Sequence, residues 1–284
     1  MTGLAPHEPN RNPPDLALAS TAHWIAAVRA AESVRADSLF NDPWAAALAG
    51  TEGAQWLAGR SGRPALTVMA IRARLFDDFV QRATSTVVKQ VVLVAAGFDT
   101  RGFRLQWPAG VRLFELDQPE VLDRKVRVLD AAGARPTCIR RAVGADLAGE
   151  WGAALVDAGF DSTAPSCWLL EGFLFYLPDE AVVRVLDEVT QLAVAGSQIG
   201  FDIANTVTLH HPLTRPWIDM QSQLGAPWLG TLDDPVGFLS ARGWHATATQ
   251  PGEPAANYGR WPYPVPPRQL ADMPRHWFVT GTRL

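Results

Sequence analysis

The segment ALTVMAIRARLFDDFVQRAT, residues 65–84, carries Ile71, Phe76, Phe79 and Val80 at helical spacing, with Arg72 and Arg74 between them. It predicts an amphipathic helix. From Val91 the period changes. VVLVAA is a short, wholly apolar run of the kind that forms a buried strand, and VRLFELD (111–117) is a second, ending in acid. A third short strand lies within TCIRRAVGAD (137–146), a fourth within PSCWLLEGFLFYL, and a fifth in SQIGFDIA (197–204). WHATATQ and the terminal RHWFVTGTRL read as two more strands, and helical or mixed segments separate the first five. Such alternation predicts an α/β fold: a doubly wound, mostly parallel seven-stranded sheet with helices on both faces.

Upstream, residues 1–18 are rich in Pro and Asn and read as a flexible arm. The segment from Thr21 to Gly50 reads as helical with one break. Ser20 or Thr21 can cap the first helix, Asn41 or Asp42 the second, and Gly50 is placed to end it. GRSGRP reads as a loop. Pro178 stands at the start of a helix running to Val194, and DDPVGFLSARG reads as a capped helix. Residues 205–232 show no clear period and read as an insertion after the fifth strand.

The chain has 284 residues, enough for one large domain or a domain with a small cap. A net charge of −4 argues against a nucleic-acid partner, which requires a basic face. Cys138 and Cys167 are the only cysteines, a usage that suits reduced cytosolic thiols. The first residues lack a basic stretch followed by an apolar run, and no apolar stretch is long enough to span a bilayer, so the expectation is a cytoplasmic protein with no membrane partner.

In an open parallel sheet, ligands bind beyond the carboxyl ends of the strands. The turn after Val94, AAGFDTR, stands there, with Gly97 as its single glycine. Taken alone it is either a cofactor loop or an ordinary strand-to-helix turn. Ala95 and Ala96 leave room for a ligand, and as alanines they are expected to stay out of left-handed backbone angles. The second strand ends with Glu115 and Asp117 on one side, and Asp117 lies twenty residues beyond Gly97. An acid so placed can accept hydrogen bonds from ribose hydroxyls, whether of a nicotinamide dinucleotide or of S-adenosylmethionine. Asp146, after the third strand, can accept from an adenine amino group, with Leu147 against the ring.

Taken in order, TAHWIAAVRAAES with DSLFNDPWA, IRARLFDDFV, VVLVAAGFDTRGFRL, FELDQPEVLDRK and LLEGFLFYLPDE make a distributed pattern over residues ~20 to 205. It resembles the leucine carboxyl methyltransferases, class I S-adenosylmethionine-dependent enzymes, and looks closest to their bacterial polyketide O-methyltransferase-like branch. The resemblance implies S-adenosyl-L-methionine as cofactor. It implies that Arg72 grips the methionyl carboxylate, that Gly97 lets the backbone approach, and that Asp99 faces the methionyl end. Asp117 would hold the ribose, Asp146 and Leu147 would frame the adenine, with Trp151 either covering the ring or lying in the core. Glu171 would face the amino group or sulfonium side, and Arg101 would pair with acids and shape the loop. Residues 19–86 would then form part of an active-site cap, 87–284 the cofactor-binding core, and 205–232 a substrate-side insertion. One departure stands out: the family usually has Gly-Ala-Gly where this chain has Ala95-Ala96-Gly97.

Methyl transfer from a sulfonium needs alignment rather than a metal, and no metal-ligand signature is present. The acceptor is expected to be a small molecule, a polyketide or other secondary metabolite, with a carboxylate favoured over a phenol because it is ionised at neutral pH. His210 and His211 are the candidate bases or orienting groups. Arg215 could attract an acidic acceptor, and Tyr176, Trp217 and Trp228 could wall a flat pocket, each also readable as surface or packing residues. The protein is expected to act as a monomer or homodimer. The competing readings are a nicotinamide-dependent oxidoreductase, against which the missing three-glycine fingerprint speaks, and a cofactor-binding protein without turnover.

Overall fold

The computed structural model describes residues 14–60 and 63–284. Among the described residues, seven strands form one sheet: β1 Gln90–Val94, β2 Arg112–Asp117, β3 Ile139–Gly144, β4 Ser166–Leu170, β5 Gln198–Ala204, β6 Trp244–Thr249 and β7 His276–Arg283. Their spatial order is β3-β2-β1-β4-β5-β7-β6. The first five are parallel, and β7 runs antiparallel between β5 and β6. This is the architecture the sequence pattern predicts. The order reverses at β1, whose neighbours are β2 and β4. A crevice opens at such a reversal, because the connections leaving the two strands go to opposite faces.

The helices are α1 Pro14–Ser33, α2 Ala45–Arg60, α3 Arg63–Thr84, α4 Arg101–Arg104, α5 Pro119–Ala131, α6 Gly152–Asp157, α7 Asp179–Leu192, α8 Arg215–Gln223 and α9 Pro235–Ser240. Strand alternation divides the core between two faces. Val92, Val94, Phe114, Trp168 and Leu170 pack toward α6, α7 and α9. Val91, Leu93, Leu113, Cys167 and Leu169 pack toward α3, whose Ile71, Phe76, Phe79 and Val80 are all buried. α1 and α2 bring Ala26, Ala27, Leu48 and Ala49 onto Phe98 and Phe103, and so cover the loop after β1. None of the described helices is long and apolar enough to cross a membrane.

The N-terminal boundaries differ from the sequence reading. The expected arm of residues 1–18 lies outside the described residues up to position 13, and α1 already begins at Pro14. Gly50 does not end its helix. It takes φ 57°, kinks α2, and a further helical stretch runs to Arg60. Of the expected loop GRSGRP, residues 59–60 and 63–64 belong to helices and 61–62 lie outside the described residues. The unpatterned 205–232 insertion contains a short turn of helix at Thr206–Leu209 and the nine-residue α8.

Glu115 is not at the ligand end of the sheet. It is fully buried, with Lys125 Nζ of α5 at 2.8 Å and Arg140 Nη2 of β3 at 2.6 Å. Removing the carboxylate from such a group strands buried positive charge. Glu115→Gln is expected to lower unfolding free energy by about 3–5 kcal/mol, read by urea denaturation. A loss below about 1 kcal/mol would show that Lys125 and Arg140 do not depend on it.

Candidate functional site

The site begins where β1 stops. Ala95 has φ 56° and Gly97 φ 44°, so the chain turns through two left-handed residues. This overturns the expectation that Ala95 avoids such angles. An L-residue pays roughly 1–2 kcal/mol there, and the neighbouring contacts must hold it. They include Ala96 N–H donating to Leu116 O at 2.9 Å. Gly97 N–H donates to Asp117 Oδ2 at 2.6 Å, and Gln118 N–H to Oδ1 at 2.7 Å. Burial raises the Asp117 carboxyl above its ordinary value despite these two donors.

Beside this loop lies a cluster of alternating charges. Arg72, buried in α3, donates from Nε to Glu171 Oε1 and from Nη1 to Asp202 Oδ2, each at 2.9 Å. Arg101 donates from Nε to Asp77 at 2.8 Å, meets Glu171 Oε2 from Nη2 at 2.7 Å, and pairs with Asp99 through Nη1. Arg104 grips both oxygens of Asp77 at 2.7 Å. Arg29 donates to Asp42 at 2.8 Å, and Thr100 Oγ1 donates to the same carboxylate at 2.6 Å.

Gly172 permits the packing of Arg72. With φ 70°, it sits where a Cβ would stand 3.2 Å from Nη2. Asp202 also accepts from Gly172 N–H at 2.6 Å and has His276 Nε2 at 2.9 Å. Burial alone would raise Asp202, but Arg72 and His276 outweigh it and hold the carboxyl at about 2. Asp99 is likewise brought to about 2, where Arg101 overcomes the effect of burial.

A cavity of about 330 Å³ runs past these groups. At one end stand Asp117 and Gln118, then Asp146 and Leu147; in its middle are Gly97, Asp99, Arg72 and Glu171. The other end is apolar, with Trp24 of α1, Met69 of α3, Phe175, Tyr176, Trp217 and Trp228. Tyr176 is raised to about 12 by burial, against the opposing effect of Arg72. The structure therefore brings together Arg72, Gly97, Asp99, Asp117, Asp146, Leu147, Glu171, Tyr176, Trp217 and Trp228. It does not bring His210, His211 or Arg215 to the cavity. His210 and Arg215 are exposed, Arg215 is paired with Asp219 at 2.8 Å, and His211 Nδ1 accepts from Leu213 N–H at 3.2 Å. Trp151 is a core residue, fully buried near Trp168.

Sequence reasoning missed Asp202 and Gln221. The signal for Asp202 was an acid inside the apolar strand GFDIA, where an unpaired carboxylate is not tolerated. Gln221 left no such signal. It is 3% exposed and lines the apolar end. Among the described residues its carboxamide has no hydrogen-bond partner, and its polar atoms are not fully enclosed.

An elongated cleft at the sheet's reversal, with an acid after β2 and a glycine turn after β1, suits an adenosine-containing cofactor with a charged tail. Comparison with known proteins narrows this. The family model described as leucine carboxyl methyltransferase matches residues 22–190. A protein of Mycolicibacterium vanbaalenii, named "Putative S-adenosyl-L-methionine-dependent methyltransferase", is 36% identical over 278 residues, covering 89% of this chain and 90% of its own. A Streptomyces avermitilis relative of the same description is 38% identical over 262 residues, with 88% and 90% covered. Among solved structures, a DUF574 family protein from Streptomyces avermitilis superposes with a TM-score of 0.59 at 15% identity, covering 91% of this chain and 97% of that one; it shares the fold.

Two outcomes follow from the geometry. Asp99 and Asp202 are depressed below the ordinary carboxylate value near 4, so their contribution is complete above that pH and is lost as pH falls through about 2. Each is expected to contribute roughly 2 kcal/mol to the loss. Denaturation at pH 7, 5 and 3 should show it starting only below pH ~5, and a stability unchanged at pH 3 would contradict the pairing. Ala95→Gly removes a left-handed alanine but adds unfolded-state freedom worth about 0.5–1 kcal/mol. Unfolding free energy should therefore hold or rise by up to ~1 kcal/mol, and calorimetric cofactor affinity should change less than about threefold, or ~0.7 kcal/mol. A clear destabilisation would mean that the turn is not strained.

Proposed function

The chain belongs to the leucine carboxyl methyltransferase family, and from that premise we propose that this S-adenosylmethionine-dependent methyltransferase delivers the methyl group to a carboxylate oxygen of a small molecule. When bound, the cofactor supplies an electrophilic methyl group on a sulfonium. The cleft suits it residue by residue. Asp117 would take the ribose hydroxyls on lone pairs left free by its two backbone donors. Asp146 would accept from the adenine amino group, with Leu147 against the ring. The Gly97 turn would give the backbone close approach, and Asp99 would face the methionyl end. Arg72 would offer its remaining N–H groups to the methionyl carboxylate, and Glu171 would take the ammonium.

The observation that carries the acceptor reading is the want of a proton acceptor at the apolar end. Among the described residues lining the cavity there is no histidine. Tyr176 is held protonated by its raised value of about 12, and Glu171 is held between Arg72 and Arg101. A carboxylate needs no such group, because it reaches the cavity already ionised. Its oxygen forms the new bond to carbon as the carbon–sulfur bond breaks, with no proton to remove. The aromatic walls exclude water, which leaves alignment as the main task of the protein. A polyketide-like or related secondary metabolite, met in the cytoplasm by a monomer or homodimer, suits an apolar chamber of this kind.

The experiment is turnover of a panel of carboxylic acids and phenols with methyl-labelled cofactor. The label should be recovered as an ester cleaved by mild alkali, and an alkali-resistant aryl ether would overturn the reading. His210→Ala and His211→Ala should each keep kcat within about twofold across pH 6–9, whereas loss of a general base costs about 10²-fold or more. A fall of that size in either variant would point instead to an acceptor that must lose a proton.

A further inference from the structure

We infer that Gln221 selects the acceptor by hydrogen-bonding an uncharged oxygen remote from the methylated carboxylate, so that the preferred substrate is an apolar acid carrying a second, neutral polar group. The inference rests on the proposed carboxylate reading for one end of the acceptor and concerns the other end.

Helix α8 presents Trp217 and Gln221 four residues apart, on one face and toward the cavity. Trp217 lies 5.6 Å from Trp24 and 6.1 Å from Trp228, and Trp228 stacks on Phe175 at 4.2 Å. These indoles pack on one another in tilted and edge-on contacts and form one apolar wall of the cavity. In the same lining Gln221 is 3% exposed, and among the described residues its carboxamide has no hydrogen-bond partner. Trp24 Nε1, in the same wall, is a second buried donor without a hydrogen-bond partner among the described residues. The Gln221 amide atoms are not among the fully enclosed groups left unpartnered, so they stay accessible from the cavity, and a ligand that bonds them is favoured over one of the same shape that does not.

Charge sets the chemical class of that ligand. The arginines lining the cavity are all engaged: Arg72 with Glu171 and Asp202, Arg101 with Asp77, Asp99 and Glu171, Arg104 with Asp77, and Arg29 with Asp42. The polar groups offered at the far end, among the described residues, are neutral, the Gln221 amide, the Tyr176 hydroxyl and the Trp24 indole N–H, and they match a hydroxyl or a carbonyl. A second anionic group at that end would have no cation to meet.

The test uses the full chain saturated with S-adenosylhomocysteine and measures binding of cinnamate, 3-hydroxycinnamate and 4-hydroxycinnamate by tryptophan fluorescence. In the native protein at least one hydroxy acid should bind about fivefold or more tightly than cinnamate. Gln221→Met, close in shape and without the amide, should erase that preference while cinnamate binding stays within about twofold. Thermal stability should hold or rise, and Gln221→Leu should repeat the result if methionine packs poorly. The inference is overturned if the native protein shows no hydroxyl preference, if the preference survives in both variants, or if both lose S-adenosylhomocysteine affinity or stability, which would make Gln221 a cofactor or packing residue. If the labelled product is an aryl ether while the preference is present and lost on substitution, the carboxylate reading falls and Gln221 keeps its role. An ester product with no such preference removes Gln221 alone.

Discussion

The pairing of Arg72 with Glu171 and Asp202 is the constraint on which the site depends. It ties α3 to the ends of β4 and β5 through two bonds of 2.9 Å. A buried guanidinium is tolerable only beside carboxylates, and buried carboxylates only beside cations, so neither side of the cluster can be placed without the other. Gly172 belongs to the same arrangement, because its missing side chain is the space into which Arg72 fits. Through Glu171 the pairing continues to Arg101, and from there to Asp77 and Asp99. The loop after β1 is therefore held from α3 as well as from β2. This explains how a turn with an alanine at φ 56° keeps its shape: the surroundings fix the turn more firmly than local backbone preference does.

The same cluster decides what kind of recognition is left. Strongly paired arginines give up part of their reach toward an outside anion, since each N–H already spent on an acid is unavailable to a ligand. Toward a charged ligand this is useful, because a clamp that is already oriented loses little freedom on binding. At the apolar end of the cavity it leaves discrimination to shape and neutral hydrogen bonds. Such groups discriminate well when buried, because a guest that leaves one unpaired forfeits what a matching guest regains. Gln221, on the same face of α8 as Trp217 and lining the cavity, has that character.

Much of the fold was legible in the chain. Strands buried on both faces read as continuous apolar runs, and VVLVAA and SCWLL became β1 and β4 in the centre of the sheet. Asp117 was legible for a related reason: an acid that closes such a run must lie at its exit. Glu115 was not, because alternation places it beside Asp117 and says nothing of the Lys125 and Arg140 that fold over it. The region 205–232 resisted reading because its one regular helix, α8, is only nine residues long and lies between irregular segments. A helix of about two to three turns offers too few repeats for its period to stand out from the irregular chain around it. The paired histidines were attractive by residue type alone, and nothing in sequence shows that His210 turns outward.

Ala95 shows why local reading fails at such a site. Glycine is the default for left-handed angles because it has no Cβ, and a chain with alanine there is naturally read as avoiding them. Here the backbone of Ala96 completes the pairing with β2, and Gly97 N–H is held by Asp117. These long-range bonds fix the turn from both sides, and the alanine takes the angle they impose. Local preference and tertiary demand thus conflict in a turn that lines the cavity. That conflict is itself informative: a residue held against its preference by its neighbours marks a place where the fold serves binding rather than stability.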